Sequence, residues 1–492
     1  MGTIRKQGIQ NTVVTYFGII IGFLNLIVLQ PYCLSPEEIG LTRVLFNFSM
    51  LVAVFLPMGV ANITIKYFPV FRNIEKQHHG YFGFMLLFPF IGFIIISFVL
   101  YLLHDFIISK YIAESKLFTE YFDYVFPLSL ALGLISVLNY YAFALFKTTF
   151  PSLLNDVIAR VFSMIVICIY FLKWISLNQF VFLFVSVYAL QLILLLFYIY
   201  QIDKPGWKPN KEFLKTQNLS QIFGYGFILS FVSFAALGLK LIDTVMIGVY
   251  LPLANVGIYS IAAFISTVIE APLNSLDKIS TTKIAHAIAM KNMDDVKVIY
   301  YKSCRYLLLL GGLLFVGINI NIHSLYMFLP PAFSGGESVV FIISLGTLVN
   351  MAIGSNGAII FSSDKYKFGA VLLAMITLVA FFSNMMLIPR FGLTGAAMST
   401  AFATFLYCLV RYVFIYLKFG LQPFDQRTLK VAGIILSSFV VNYFLPILSN
   451  PLADIILRSS VITIVFVSST FFLQIVPEFH EYIPFLKNKR GE

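Results

Sequence analysis

The 492-residue chain is short of charge. Asp, Glu, Lys and Arg make up 11% of it, where a soluble domain carries about a quarter. With 60% hydrophobic residues and a mean hydropathy of +0.91, the composition excludes a water-soluble globular protein. Cysteine is scarce as well: Cys33, Cys168, Cys304 and Cys408 stand singly within or beside apolar runs, which suggests neither a disulfide framework nor a metal site. No G-x-x-x-x-G-K-[ST] stretch occurs, so the chain has no nucleotide-binding P-loop and is not itself an ATP-driven pump. Zincin, nucleophile-elbow and paired-cysteine motifs are missing too, and the six His are dispersed. No catalytic residue, cofactor or metal is therefore expected, and the chain does not read as an enzyme. The first apolar run follows Arg5 and Lys6 and ends without an A-x-A cleavage site, as an uncleaved anchor would. The start MGTIRK has Lys6 where N-myristoylation needs Ser or Thr.

What is present is a series of apolar segments about 18 to 25 residues long, the length a helix needs to cross a hydrocarbon core. Each can close its own backbone hydrogen bonds, so an all-α integral membrane protein follows. About fourteen spans are expected, near 11–33, 41–63, 81–103, 121–146, 152–172, 179–200, 222–250, 255–275, 304–325, 337–360, 368–388, 393–417, 429–447 and 457–476. With the N-terminus inside, about 24 of the 33 Lys and Arg fall in cytoplasmic loops, including Lys66, Arg72 and Lys76, the run from Lys278 to Arg305, and the tail KNKR. About five fall outside: Lys110, Lys116, Lys173, Arg390 and Arg458. That asymmetry places both termini in the cytoplasm. It also makes the net charge of +11 largely topological, with attraction to anionic lipid headgroups and no nucleic-acid footprint.

The longest polar connections are both on the expected inner side, at 201–220 and about 276–303. The first, with Pro205, Gly206 and Pro209 among four lysines, reads as a linker between two halves. The halves look related: SPEEIGL at 35–41 and LANVGIY at 253–259 each open a span. Gly40 and Gly257 stand 217 residues apart, and the same offset carries Lys66 onto Lys283. Repeats at such points would be related by an axis along the membrane normal, as in some transporters.

Three stretches carry a resemblance. SPEEIG, TRVLFNFSMLVAVFLPMG and ITIKYFP are similar to the N-terminal region of bacterial polysaccharide repeat-unit flippases of the O-antigen type, members of the multidrug/oligosaccharidyl-lipid/polysaccharide exporter superfamily. IDTVMIGVYLPLANVGIYSIA at 242–262 resembles the start of that family's second lobe, and MMLIPRFGLTGAAMSTAFA at 385–403 its late-span signature. The resemblance implies two six-helix lobes around a central cavity plus two C-terminal helices. On this chain that gives an N-terminal lobe at 1–200, a linker at 201–220, a second lobe at 221–418, and two extra helices with a cytoplasmic tail at 419–492. It also implies location in the bacterial inner membrane and transport of undecaprenyl-pyrophosphate-linked oligosaccharide, such as a lipopolysaccharide O-antigen unit, from the cytoplasmic to the periplasmic leaflet. Na+ or H+ would drive the cycle, with a polysaccharide polymerase as a possible partner. The alternatives are a drug or organic-cation exporter of the same fold, and a membrane polymerase or ligase. The latter would need a sizeable outer loop that this chain lacks.

Charges inside apolar spans normally face a bundle interior or a cavity, since each costs roughly 2.5 to 3.5 kcal/mol at a helix centre. Lys240 and Asp243 lie three apart on one face of the seventh span. Either they neutralise each other or tie the span to a neighbour, or Lys240 meets the lipid pyrophosphate while Asp243 positions it or binds the coupling cation. Arg43 either snorkels to the outer interface or offers its planar fork to phosphate. Glu270, two residues before the helix-breaking Pro272, is the second candidate ion-coupling group. Asn25 and Asn62 are candidates for sugar hydroxyls, against ordinary interhelical packing. Asp156 and Arg160, four apart, are expected to form a local ion pair.

Overall fold

The computed structural model describes residues 2–73, 75–210 and 219–475. Lys211 and Lys215 of the linker and the KNKR tail lie outside the described residues. Among the described residues there is no strand. The long helices are α1 (Gly2–Phe23), α2 (Gln30–Cys33, continuing α1 through a π-helical stretch at Leu24–Leu29), α3 (Pro36–Ala53), α4 (Val60–Phe71), α5 (Tyr81–Leu102), α6 (Val125–Ala144), α7 (Ala159–Phe171) and α8 (Leu177–Asp203). They continue as α9 (Leu219–Tyr250), α10 (Leu253–Thr267), α11 (Ala271–Ala289), α12 (Met293–Ile320), α13 (Glu337–Ala352), α14 (Asn356–Ser362), α15 (Tyr366–Phe419), α16 (Gln426–Tyr443) and α17 (Pro451–Phe472). This is an all-helical multi-pass membrane protein. Short helical turns between these are named by residue.

Among the described residues, ten helical segments are long and apolar enough to cross a membrane, or eleven if the bent pair α13 and α14 is one span. That is fewer than the fourteen expected, for identifiable reasons. Tyr366–Phe419, labelled α15, is two helical stretches joined at a kink, one for each of two expected spans; at about 1.5 Å per residue its length is far more than one bilayer core needs. Its change of course comes at Gly392, whose φ of 61° and ψ of −135° no continuous helix has. The second span is divided into α3 and α4, and α3 also carries Glu37, Glu38 and Arg43.

The sequence explains the local geometry of SPEEIG. Ser35 Oγ accepts from the Glu38 backbone N–H at 3.2 Å, Glu38 Oε2 accepts from the Ser35 N–H at 2.7 Å, and Pro36 occupies the first turn, which together start α3 abruptly. The same device, Ser176 with Gln179, starts α8. The break after α3 follows from Pro57 and from the left-handed Met58 (φ 49°) and Gly59 (φ 85°).

The chain packs as two compact units. The first comprises residues up to Ile261 with Ile388–Gly392, and the second comprises Ala262–Leu387 and the residues from Leu393 on. Helix α9 and the start of α10, expected in the second lobe, pack with the first unit. One core of the first unit gathers around Phe68, Tyr81, Phe82 and Tyr141. The second unit has one core around Leu307, Phe315, Met351 and Phe466, and another around Tyr300, Ile359 and Ile415. Gly40 and Gly257 meet at a single crossing inside the first unit. A Cβ on Gly40 would run into the Leu253 carbonyl, and one on Gly257 into the Pro36 carbonyl. Glycine is required at both because backbone approaches backbone there.

Candidate functional site

The break in the second span opens a cavity within the first unit. Its volume is about 390 Å³, and its wall includes Pro57, Gly59, Asn62, Ser136, Tyr140 and Ser233. Around these lie aliphatic side chains such as Leu132 and Leu237. A helix broken at a cavity exposes backbone groups that hydrocarbon would not tolerate, so irregular backbone is confined to such places. Asn62 Nδ2 donates to Ser233 Oγ at 3.5 Å, a long bond between two cavity-wall groups. An amide, several hydroxyls and a tyrosine in an otherwise apolar wall suit a polyhydroxylated ligand.

A second polar group in the same unit forms around Arg43. Its Nη2 donates to Gln30 Oε1 at 3.4 Å, and Gln30 Nε2 donates to Asn25 Oδ1 at 3.4 Å. Asn25 and Gln30 are buried, and Asn25 sits in the π-helical stretch of the first span. Such stretches recur at functional sites because they leave carbonyls without their usual donors. Arg160 comes close enough to Arg43 for the two charges to repel, with Tyr188 beside both. Arg160 donates to the Gly18 carbonyl, anchoring itself on α1. Asp156 also lies against Gly18, in the π-helical Leu154–Ile158 stretch.

The remaining candidates are separated by environment. Lys240 is exposed, whereas Asp243 is only 4% exposed and accepts a 2.8 Å hydrogen bond from the Tyr259 hydroxyl. Among the described residues no ion pair joins Lys240 to Asp243. Glu270 belongs to the second unit and ends a 3-10 turn, Val268–Glu270, that interrupts the helix just before Pro272. The structure thus brings Asn25 and Arg43 together through Gln30, places Asn62 on a cavity wall, and leaves Lys240, Asp243 and Glu270 in different surroundings.

Sequence reasoning missed Gln30, Tyr188, Ser233 and Tyr259. Gln30 carried a signal, an amide thirteen residues before an intramembrane arginine; the others are ordinary residues until packing gives them neighbours.

A family model described as "Polysaccharide biosynthesis protein" matches residues 4–277. No curated protein sequence matches the chain. Among solved structures, "Lipid II flippase MurJ, inward closed conformation" has a TM-score of 0.75 at 15% identity, covering 95% of this chain and all of that one. An inward-facing multidrug resistance MATE family transporter of the MOP superfamily has a TM-score of 0.64 at 12% identity, covering 84% of this chain and 98% of that one. A MOP superfamily transporter from Pyrococcus furiosus, whose binding pocket is described as of reverse polarity, has a TM-score of 0.53 at 12% identity, covering 85% and 95%. At such identities these likenesses show a shared fold. The family match spans more than half of the residues, and on that ground the chain belongs to the polysaccharide biosynthesis protein family.

Proposed function

We propose that the protein is a flippase that moves undecaprenyl-pyrophosphate-linked oligosaccharide repeat units from the cytoplasmic to the periplasmic leaflet of the bacterial inner membrane. It works by alternating access driven by a Na+ or H+ gradient. The observation that carries this reading is Arg43, half-buried in the first unit and held by the neutral Gln30–Asn25 pair, with the Arg160 charge within electrostatic reach. Two guanidinium charges within reach of each other repel, and a diphosphate accepting from both planar forks would relieve that repulsion. The cavity around Asn62, with an amide and hydroxyls set in an otherwise apolar wall, gives the attached sugars a separate surface. Lys240, exposed on α9, would add a further cation for the headgroup, while Asp243 and Glu270 are proposed carboxylates of the coupling step. An organic-cation exporter would favour the opposite sign around Arg43.

The test is surface polysaccharide in cells carrying Arg43→Ala or Arg43→Lys in place of the native protein, with membrane levels measured in parallel. Arg43→Ala is expected to lower polysaccharide at least about tenfold at normal protein levels, and Arg43→Lys to retain part of it because the charge survives. Normal polysaccharide from Arg43→Ala would remove Arg43 from the headgroup path.

A further inference from the structure

An unassigned polar cluster lies within the second unit at the break between α13 and α14. The two helices bend by 58° there, with Gly354 at a φ of 56°. Carbonyls at the end of α13 consequently lose the donors a continuous helix would supply. Helix α11 packs along α14, and α12 along α11 and α13. Ser303 Oγ on α12 accepts from the Ser355 N–H at 3.2 Å, pinning the break. Converging on this region are Asp277 from α11, Tyr300 from α12, Ser355 and Asn356 at the break, and Arg411 from α15. Tyr300 and Asn356 are fully buried, Ser355 is 1% exposed and Arg411 is 9% exposed.

These side chains hold polar atoms without a hydrogen-bond partner: Tyr300 OH, both amide atoms of Asn356, and Arg411 Nε. One such atom is tolerable in a folded protein. Several in one region argue for an occupant, because each carries a desolvation cost. Arg411 itself is held by neutral groups: Nη2 donates to Asn350 Oδ1 at 2.8 Å, and the guanidinium lies 3.9 Å from the Tyr407 ring centroid. It is within electrostatic reach of Asp277, and the Ser355 hydroxyl faces the same carboxyl. Yet no ion pair joins Arg411 to Asp277 among the described residues. In a low-dielectric interior the two would attract strongly, so their separation needs a reason.

We propose that Asp277, Ser355 and the carbonyls released at the break form a binding site for a monovalent alkali cation, and that Arg411 competes with that cation for Asp277. One carboxylate with neutral oxygens is a hard donor set of low charge, and no group of three His, Cys, Asp or Glu able to hold a metal occurs among the described residues. With the cation bound, Arg411 stays on Asn350 and Tyr407. When it leaves, the guanidinium closes on Asp277, so cation release changes how α15 sits against α11 inside this unit. The role in coupling rests on the flippase reading, whereas the binding itself does not.

Purified full-length protein in detergent, unfolded by heat in NaCl or in choline chloride at equal ionic strength, tests this without any lipid substrate. Na+ is expected to raise Tm saturably in the unaltered protein, as binding to the folded state requires. Asp277→Asn should abolish that rise and Ser355→Ala weaken it. Arg411→Gln should lower the half-saturating Na+ concentration about tenfold by removing a like charge. No saturable Na+ effect in the unaltered protein overturns the site, as does an effect unchanged in both Asp277→Asn and Ser355→Ala. A Tm rise that follows pH and ignores Na+ would replace the cation with a proton. An unchanged Na+ response in Arg411→Gln overturns the competition. A protein that moves no lipid-linked oligosaccharide can still show the Na+ response, so this reading and the flippase reading fail separately.

Discussion

Within the second unit two buried arginines are set near carboxylates in opposite ways. Arg458 Nε donates to Asp454 Oδ2 at 2.9 Å, its Nη2 donates to the Pro446 carbonyl at 3.1 Å, and its Nη1 reaches Asn442 Oδ1. Asp454 also accepts from the Ser324 hydroxyl at 2.6 Å and the Leu448 N–H at 3.1 Å. Every nitrogen of that guanidinium and both carboxylate oxygens are occupied. Around Asp277 and Arg411 the bonding is incomplete: Arg411 Nε, the Tyr300 hydroxyl and both amide atoms of Asn356 have no hydrogen-bond partner. A closed network ties α17 to α16 and to the Ile322–Tyr326 turn, which is scaffolding. An open one keeps bonding capacity in reserve, at a cost a purely structural site has no reason to bear.

The sharpest way to break this contrast is to damage the closed network. Arg458→Ala leaves the Asp454 charge buried and unpaired, so it should cost about 3 to 5 kcal/mol of stability, measured by unfolding in detergent with the second unit's packing as readout. A loss below about 1 kcal/mol would put Arg458 in the same class as Arg411.

The converse substitution is made in the open cluster. Asn356→Leu exchanges a fully buried amide with no partner on either atom for an apolar side chain of similar volume. It should leave stability unchanged or raise it by about 1 to 3 kcal/mol, since no bond is lost and a desolvation cost is removed. Stability that falls by a similar amount would mean the amide has a structural partner. Transport should fall despite the gain if the cluster serves the cycle.

The smallest effect is expected at Arg305 and Asp425, a more exposed pair with side chains 16% and 34% exposed and Nη2 3.1 Å from Oδ2. Burial pushes the Asp425 carboxyl up, but hydrogen bonds from the Thr428 N–H and hydroxyl, with Arg305 alongside, outweigh it and hold the carboxyl below the usual range. Its folded value is therefore depressed. The stability it contributes is present above the ordinary aspartate range near about 4 and is lost as pH falls through the folded value. Asp425→Asn should flatten that acid-side slope while keeping α16 capped, because Asn also caps well. An unchanged slope in unfolding measured from pH 6 down to about 3 would remove Asp425 from the acid response.

The legibility of these features follows from distance along the chain. The start of α3 is readable because SPEE holds both halves of its cap three residues apart, and the glycines at 40 and 257 recur at the offset that also relates Lys66 to Lys283. The interruption before Pro272 was readable from one residue type. The Arg43 group was half readable: an intramembrane arginine stands out, but the Gln30 bridge depends on a chain reversal between α2 and α3. The open cluster was not readable at all. Asp277 lies at the edge of a polar stretch, Arg411 inside a long apolar one, and 134 positions separate them in the numbering.

By itself the sequence determined that hydrocarbon is the solvent, that the structure is helical, and where most spans lie, because length and hydropathy act locally on a backbone that must bond to itself. Tertiary structure decided the rest. It showed Asp243 accepting from Tyr259, divided the second span around a cavity, kinked α15 at Gly392, and distinguished a finished charge network from an unfinished one. Those outcomes depend on which faces of distant helices pack together, and hydropathy, summed over a span, carries no information about the partner a single polar atom will meet.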